Sequence, residues 1–319
     1  MEVSIVVEAQ QGLNWPRWKR LVEAVDSLPF AGLYRTDHFT DPKPPDFDSL
    51  ELVVSLAYAA SYTSRVRFGS LVAPLAFRDP RTLARQAAAL DDLSGGRMVL
   101  GIGAGWQERE HEVWGYPLGD MSTRMRRLEE GLEVITRLLH SDDPVTYEGS
   151  FYQLRGATLL PRPQRPGGPT LLVGGSGPRR TLPLVARYAD TWNSLRTSPQ
   201  GFSESSALLD GLLQKAGRRP RDVRRTMFTT IYFASDAGDL ERVLARVRQQ
   251  MPDYMGKSNR EVYDALRARN TIVGDPEQIK EQLAAYEAAG VEEIMLRWTD
   301  MDDLDGLRTF GQSILPLPR

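Results

Sequence analysis

Thr36-Asp37-His38-Phe39 directly follows the apolar run Gly32-Leu33-Tyr34-Arg35. An imidazole at a strand end can pass a proton near neutral pH, tuned by the carboxylate beside it, or it can cap the next helix. Asp37 and His38 are the candidate catalytic pair. The stretch Gly174-Gly175-Ser176-Gly177-Pro178-Arg179-Arg180-Thr181 brings bare amides, a helix start, a hydroxyl and two cations to one place, which suits an anion such as phosphate; the alternative is a glycine-rich turn with exposed arginines. In Gly101-Ile102-Gly103-Ala104-Gly105, glycines at alternate positions let backbone approach something flat, or simply relieve crowding. The spacing is not the G-x-G-x-x-G of a dinucleotide fold, and no acidic residue ends a strand about 20 positions later. Trp106-Gln107-Glu108-Arg109-Glu110 places amide, carboxylate and ring just beyond, although glutamates in such a run commonly form a solvated helix face. Asp190-Thr191-Trp192-Asn193 ends another strand, with Asn193 suited to a ring carbonyl or amide.

Elements must position these groups. Short apolar runs alternate with amphipathic stretches. Strands are predicted near 3–7, 31–36, 66–72, 97–103, 170–174, 190–195, 225–233 and 292–298. Helices are predicted near 15–27, 48–62, 80–93, 123–140, 178–188, 202–216, 237–250 and 276–289, with a last one near 302–313. Asp79-Pro80 and Asp275-Pro276 read as a cap followed by an N1 proline. Gly32, Gly95-Gly96 and Gly290 stand where a left-handed residue closes a helix. Eight strands alternating with eight helices predict an α/β (β/α)8 TIM barrel, read as a single domain over 1–319, with catalytic groups at the C-terminal mouth. Residues 141–169 read as a β-hairpin plus loop and 251–270 as a helical insertion, both expected to cover that mouth.

Composition narrows the classes. With 40 basic and 42 acidic residues the net charge is −2, so nothing global favours nucleic acid or membrane. There is no cysteine, which excludes disulfides and thiolate chemistry, and three scattered histidines give no metal spacing. The start has no basic n-region or long apolar h-region, and no apolar run reaches membrane length. A cytoplasmic protein with neither signal peptide nor metal is expected.

Several motifs together resemble the bacterial luciferase-like monooxygenase superfamily. They are Asp37-His38-Phe39, Gly69 to Pro74 with Arg78-Asp79-Pro80, Leu93 to Trp106, Gly174 to Gly177, Tyr188 to Asn193, Val273 to Gln278 and Gly290 to Leu296. The pattern is most similar to the branch using the deazaflavin coenzyme F420. This resemblance implies a dimeric barrel that holds a flavin-like ring at its mouth, with His38 and Asp37 as the rim pair. It implies a non-proline cis peptide at Ser70–Leu71 against the ring, ring and ribityl contacts from Ala73, Gln107 and Asn193, and a phosphate cradle at Gly175, Ser176 and Gly177. The implied activity is hydride transfer between F420 and a small organic substrate; an FMN-dependent monooxygenase and a non-catalytic flavin-binding barrel are the alternatives. The sugar-phosphate dehydrogenases of this branch carry a glutamate where this chain has Ala104, and a tryptophan near Thr40-Asp41-Pro42. Both departures argue against glucose 6-phosphate as substrate.

Overall fold

The computed structural model describes residues 1–315. Eight parallel strands close into a barrel: β1 (Glu2–Val7), β2 (Gly32–Arg35), β3 (Arg67–Ser70), β4 (Met98–Gly103), β5 (Thr170–Gly174), β6 (Thr191–Leu195), β7 (Arg224–Phe233) and β8 (Glu293–Trp298). Each pairs with the next, and β8 returns to β1 in the register Glu2 to Glu293 through Val6 to Arg297. Most strand residues are buried on both faces, as expected of strands sandwiched between a filled barrel and its helices. The surrounding helices are α1 (Trp15–Ser27), α2 (Leu52–Tyr62), α3 (Pro80–Ser94), α4 (Glu108–Trp114), α5 (Met121–His140), α6 (Thr181–Tyr188), α7 (Pro199–Lys215), α8 (Ala237–Gln250), α9 (Asn259–Ala268), α10 (Pro276–Ala288) and α11 (Leu304–Ile314). None of them is long and apolar enough to cross a membrane.

The sequence punctuation acts as expected at most ends. Asp79 accepts from the amides of Arg81 and Thr82, Asp275 forms a capping box with Gln278, and Gly95 ends α3 at φ +70°. Gly32 does not close a helix. It opens β2, where a Cβ would meet the Tyr34 ring at 2.7 Å and Ser4 Oγ at 3.0 Å.

Two segments correct the expected plan. The hairpin of Val145–Glu148 and Gln153–Ala157 follows α5 and precedes β5, on the helix-to-strand side of the barrel. Its turn is tied to the flank of α5 by Glu130, which accepts from the amides of Ser150 and Phe151, and Tyr152 donates its hydroxyl to the Leu75 carbonyl at 3.4 Å. The 251–270 insertion is helical as expected. It leads into a further short strand, Ile272–Gly274, that pairs with the upper end of β7 beyond the reach of β6.

The barrel interior is layered. At the bottom, buried Glu293 accepts from Ser4 and faces Arg67 at 3.0 Å and Arg224 at 3.4 Å, while Glu2 ties the same two arginines. Above this plug Val6, Tyr34, Leu71, Val99, Leu172 and Met295 form an apolar layer, with Val72 and Phe228 partly buried against it. That layer is the floor of the mouth.

Candidate functional site

Two constellations sit at the C-terminal strand ends, on opposite sides of the ring. The first is built on the turn after β2. His38 Nδ1 lies 3.0 and 3.1 Å from the two carboxylate oxygens of Glu110, and the Phe39 amide donates to the same carboxylate at 3.1 Å. Glu110 is 1% exposed, because the short helix α4 turns its Gln107, Glu110 and His111 face inward. No hydrogen bond within the protein uses His38 Nε2 among the described residues. With Nδ1 held, Nε2 is therefore the nitrogen left to exchange a proton. Trp106 meets the imidazole edge-on at 5.6 Å and is itself more than half exposed.

Burial alone would lower the His38 pKa. The hydrogen bond and charge of Glu110, with smaller contributions from Asp37 and Glu8, outweigh it and raise the pKa above the ordinary 6.5. A raised pKa means that this pair stabilises the fold fully below pH 6.5, and that the stabilisation is lost as pH rises through the His38 value. Glu110→Gln removes the largest raising contribution and leaves burial in charge. Its His38 pKa is expected to fall below 6.5 in an NMR titration of the imidazole protons; an unchanged value would remove Glu110 as the cause.

Asp37, expected as the carboxylate that tunes His38, is among the charges that raise its pKa. It is 2% exposed and clamped bidentately by Arg78, with Nε and Nη2 each 2.8 Å from a carboxylate oxygen. Arg78 also reaches Glu51, the N-cap of α2. Held in this way, it fixes the backbone from which His38 projects.

The second constellation joins the ends of β5 and β6. Gly175 donates its amide to Asn193 O at 2.9 Å, and its carbonyl accepts from Trp192 Nε1 at 2.8 Å. Ser176 Oγ lies 2.9 Å from Ser194 Oγ. The Gly177 carbonyl closes the turn by accepting from Thr181 N at 2.9 Å, while the Ser176, Gly177 and Arg179 amides make no internal hydrogen bond among the described residues. Gly175 is held at φ +119°, and a Cβ on Gly177 would stand 3.1 Å from Thr181 Oγ1. The loop from Gly174 is thus an open set of donors of the shape that accepts an anion.

Asn193 is fully buried inside the barrel. Thr226 Oγ1 donates its one proton to Trp192 O, so it can only accept from Asn193, which fixes the Asn193 NH2 toward Thr226 at 2.9 Å. Asn193 Oδ1 is then left without a partner, as is Gln107 Oε1, whose NH2 is spent on Thr40 O at 2.7 Å and Thr40 Oγ1 at 3.0 Å. Buried acceptors without donors are costly unless a ligand supplies the N–H.

The segment 69–74 departs from its expected roles. The non-proline cis peptide lies at Leu71–Val72, one bond later than Ser70–Leu71. Ser70 is committed to the sheet, donating to Gly101 O at 2.8 Å and accepting from Gly101 N at 3.1 Å. Leu71 belongs to the apolar floor. Ala73 is fully buried and belongs to the main hydrophobic core. Val72 is the side chain presented at the mouth, and it occupies the space that Gly103 leaves. Cβ atoms at Gly101, Gly103 and Gly174 would stand 3.2, 2.5 and 3.1 Å from its methyls.

A family model described as luciferase-like monooxygenase matches residues 1–293. An uncharacterized protein of Mycobacterium tuberculosis is 35% identical over 172 residues, 53% of this chain and 58% of that protein. An F420-dependent glucose-6-phosphate dehydrogenase of Kineococcus radiotolerans is 28% identical, covering 89% of this chain and 87% of that one. An FMNH2-dependent dimethylsulfone monooxygenase of Pseudomonas fluorescens is 24% identical over 99% of this chain and 91% of its own. Among solved structures, an F420-dependent secondary alcohol dehydrogenase bound to an F420–acetone adduct superposes with a TM-score of 0.79 at 21% identity, covering 98% of both chains. A luciferase-like monooxygenase model that matches residues 1–293 of a chain folded as a closed parallel barrel makes this chain a member of the luciferase-like monooxygenase family.

Proposed function

We propose that this protein transfers a hydride between the deazaflavin F420 and a small organic substrate, with His38 moving the accompanying proton. The observation that carries this reading is the His38–Glu110 pair, with Nε2 unengaged, on a rim whose opposite side offers the unpartnered Asn193 Oδ1 above an apolar floor. A flat ring with an imide N–H fits such a slot: the floor takes its face and the Asn193 and Gln107 acceptors take its donors. The Ser176, Gly177 and Arg179 amides and the Ser176 hydroxyl would hold its phosphate.

When bound, F420 supplies or accepts the hydride at the ring carbon that stands where ordinary flavins have nitrogen. The protein's own part is positional and acid–base. Arg78 locks Asp37, Asp37 fixes the turn, and Glu110 holds Nδ1 so that Nε2 presents one proton toward a substrate oxygen or nitrogen. Protonated His38 serves reduction of a carbonyl or imine, and neutral His38 serves oxidation of an alcohol. Trp106 shields the imidazole from water on one edge.

An FMN-dependent monooxygenase is the second reading, supported by the Pseudomonas relative and by a cradle that suits any flavin phosphate. Titrating the protein with F420 and with FMN, followed by cofactor fluorescence, separates the two. Tighter F420 binding is expected; tighter FMN binding would hand the site to oxygen chemistry. A homodimer is part of the proposal, supported by the uncharged helix α2, whose Val54 and Tyr62 remain 56% and 66% exposed.

A further inference from the structure

A cleft of about 250 Å³ opens between α5 and α6, immediately beyond the Gly174–Gly177 loop. Arg126, Arg179, Arg180 and Arg187 line it together with Glu129. Glu129 is bound by Arg187. Asp120, which caps α5 through the Thr123 amide, feels the charges of Arg126 and Arg180. Four guanidiniums thus face two carboxylates, and Arg126, Arg179 and Arg180 form no ion pair among the described residues. Arg126 lies over the Phe151 ring, 5.7 Å from its centroid. The chain as a whole carries a net charge of −2, so this basic patch is local and not a by-product of a basic protein.

The position follows from the turn. The amides of Arg180 and Thr181 return to the Gly177 carbonyl, so Arg179 and Arg180 stand at the exit of the anion loop, and α5 brings Arg126 across from the other side. Guanidiniums suit carboxylates through paired N–H donors. FMN ends at its phosphate and has nothing to place here, whereas F420 continues past its phosphate into an acidic tail.

We infer that the Arg126–Arg179–Arg180 cleft receives the carboxylate tail of the deazaflavin and so selects F420 over FMN. The inference rests on the F420 reading of the mouth. Its test is a fluorescence titration of the full chain with F420 and with the same deazaflavin phosphate lacking its glutamates, in parallel with FMN. At about 20 mM salt the wild type is expected to bind the tailed form about ten-fold more tightly, the sum of three exposed ion pairs. That preference should shrink below about two-fold in Arg126→Gln/Arg179→Gln/Arg180→Gln, and likewise in the wild type at about 0.5 M salt, where exposed charges are screened.

Tail-less binding by the triple variant shows that it is folded and that its cradle is intact. If that binding is lost, Arg126→Gln alone, on α5 and away from the loop, decides by the same comparison. Equal affinity for tailed and tail-less forms in the wild type, or a preference that survives the substitutions, overturns the tail site and leaves the F420 reading standing. Failure of both deazaflavins to bind overturns the F420 reading and the tail site with it.

Discussion

His38→Ala is expected to lower turnover by about 10²- to 10⁴-fold, the usual contribution of a positioned acid–base group, while the cofactor Kd moves by no more than a few fold. The split is the informative part. His38 holds no element of the fold together with its free nitrogen: Nδ1 is engaged by Glu110, Nε2 by nothing among the described residues, and the anion loop lies across the barrel. Truncation removes the proton donor without touching Ser176, Gly177 or Asn193. Steady-state rates with a deazaflavin substrate pair, measured beside a cofactor titration, give both numbers. Turnover within about two-fold of wild type would take His38 out of the chemistry. Equal losses in rate and affinity would instead make it a cofactor contact.

Gly101→Ala is expected to destabilise the protein by at least about 3 kcal/mol, at or beyond the upper end of overpacking substitutions. A Cβ at this position would stand 2.0 Å from the Ser70 carbonyl oxygen and 3.2 Å from Val72 Cγ1. The obstacle is backbone, so no rotamer change relieves it. β3 and β4 would have to part, and the two hydrogen bonds that bind Ser70 Oγ to Gly101 would go with them. Gly211→Ala provides the contrast: its Cβ meets nothing within 4 Å on α7, and replacing a helical glycine there is expected to add up to about 1 kcal/mol. Urea unfolding midpoints of the two variants should therefore move in opposite directions. A Gly101→Ala protein as stable as wild type would show that the β3–β4 contact is looser than these distances state.

Much of the frame was legible because each barrel strand is an apolar run bounded by turn residues, and because Asp79-Pro80 and Asp275-Pro276 mark helix starts by local chemistry alone. What escaped depends on partners distant in sequence. Glu110 sits in Glu-Arg-Glu-His-Glu, indistinguishable from a solvated face until α4 is placed against the β2 turn, 72 residues away. Arg78 stands beside the recognised cap Asp79, yet nothing local says that it clamps Asp37. The glycines of β4 read either as space for something flat or as relief of crowding, and the sequence does not choose between them. Gly101 lets two backbones meet and Gly103 admits the Val72 side chain, and that pairing is visible only once the register is known. The cis bond at Leu71–Val72, one bond after the Ser70–Leu71 position that the resemblance implied, carries no mark in the local sequence. Ile272–Gly274, three residues long, is too short for any periodicity to declare it.

The plug at the bottom of the barrel has a consequence for the order in which the molecule is made. Glu2 is paired in register with Glu293, and both share Arg67 and Arg224, so the second residue of the chain is finished by one near its end. On the ribosome β1 emerges some 290 residues before β8, and over that span its outer edge lacks this partner while helices and strands accumulate beside it. An unpaired edge of the sequence Glu-Val-Ser-Ile-Val-Val is adhesive. The nascent barrel must therefore persist as an open, curved sheet whose two ends meet only once β8 has been made and slides between β7 and β1.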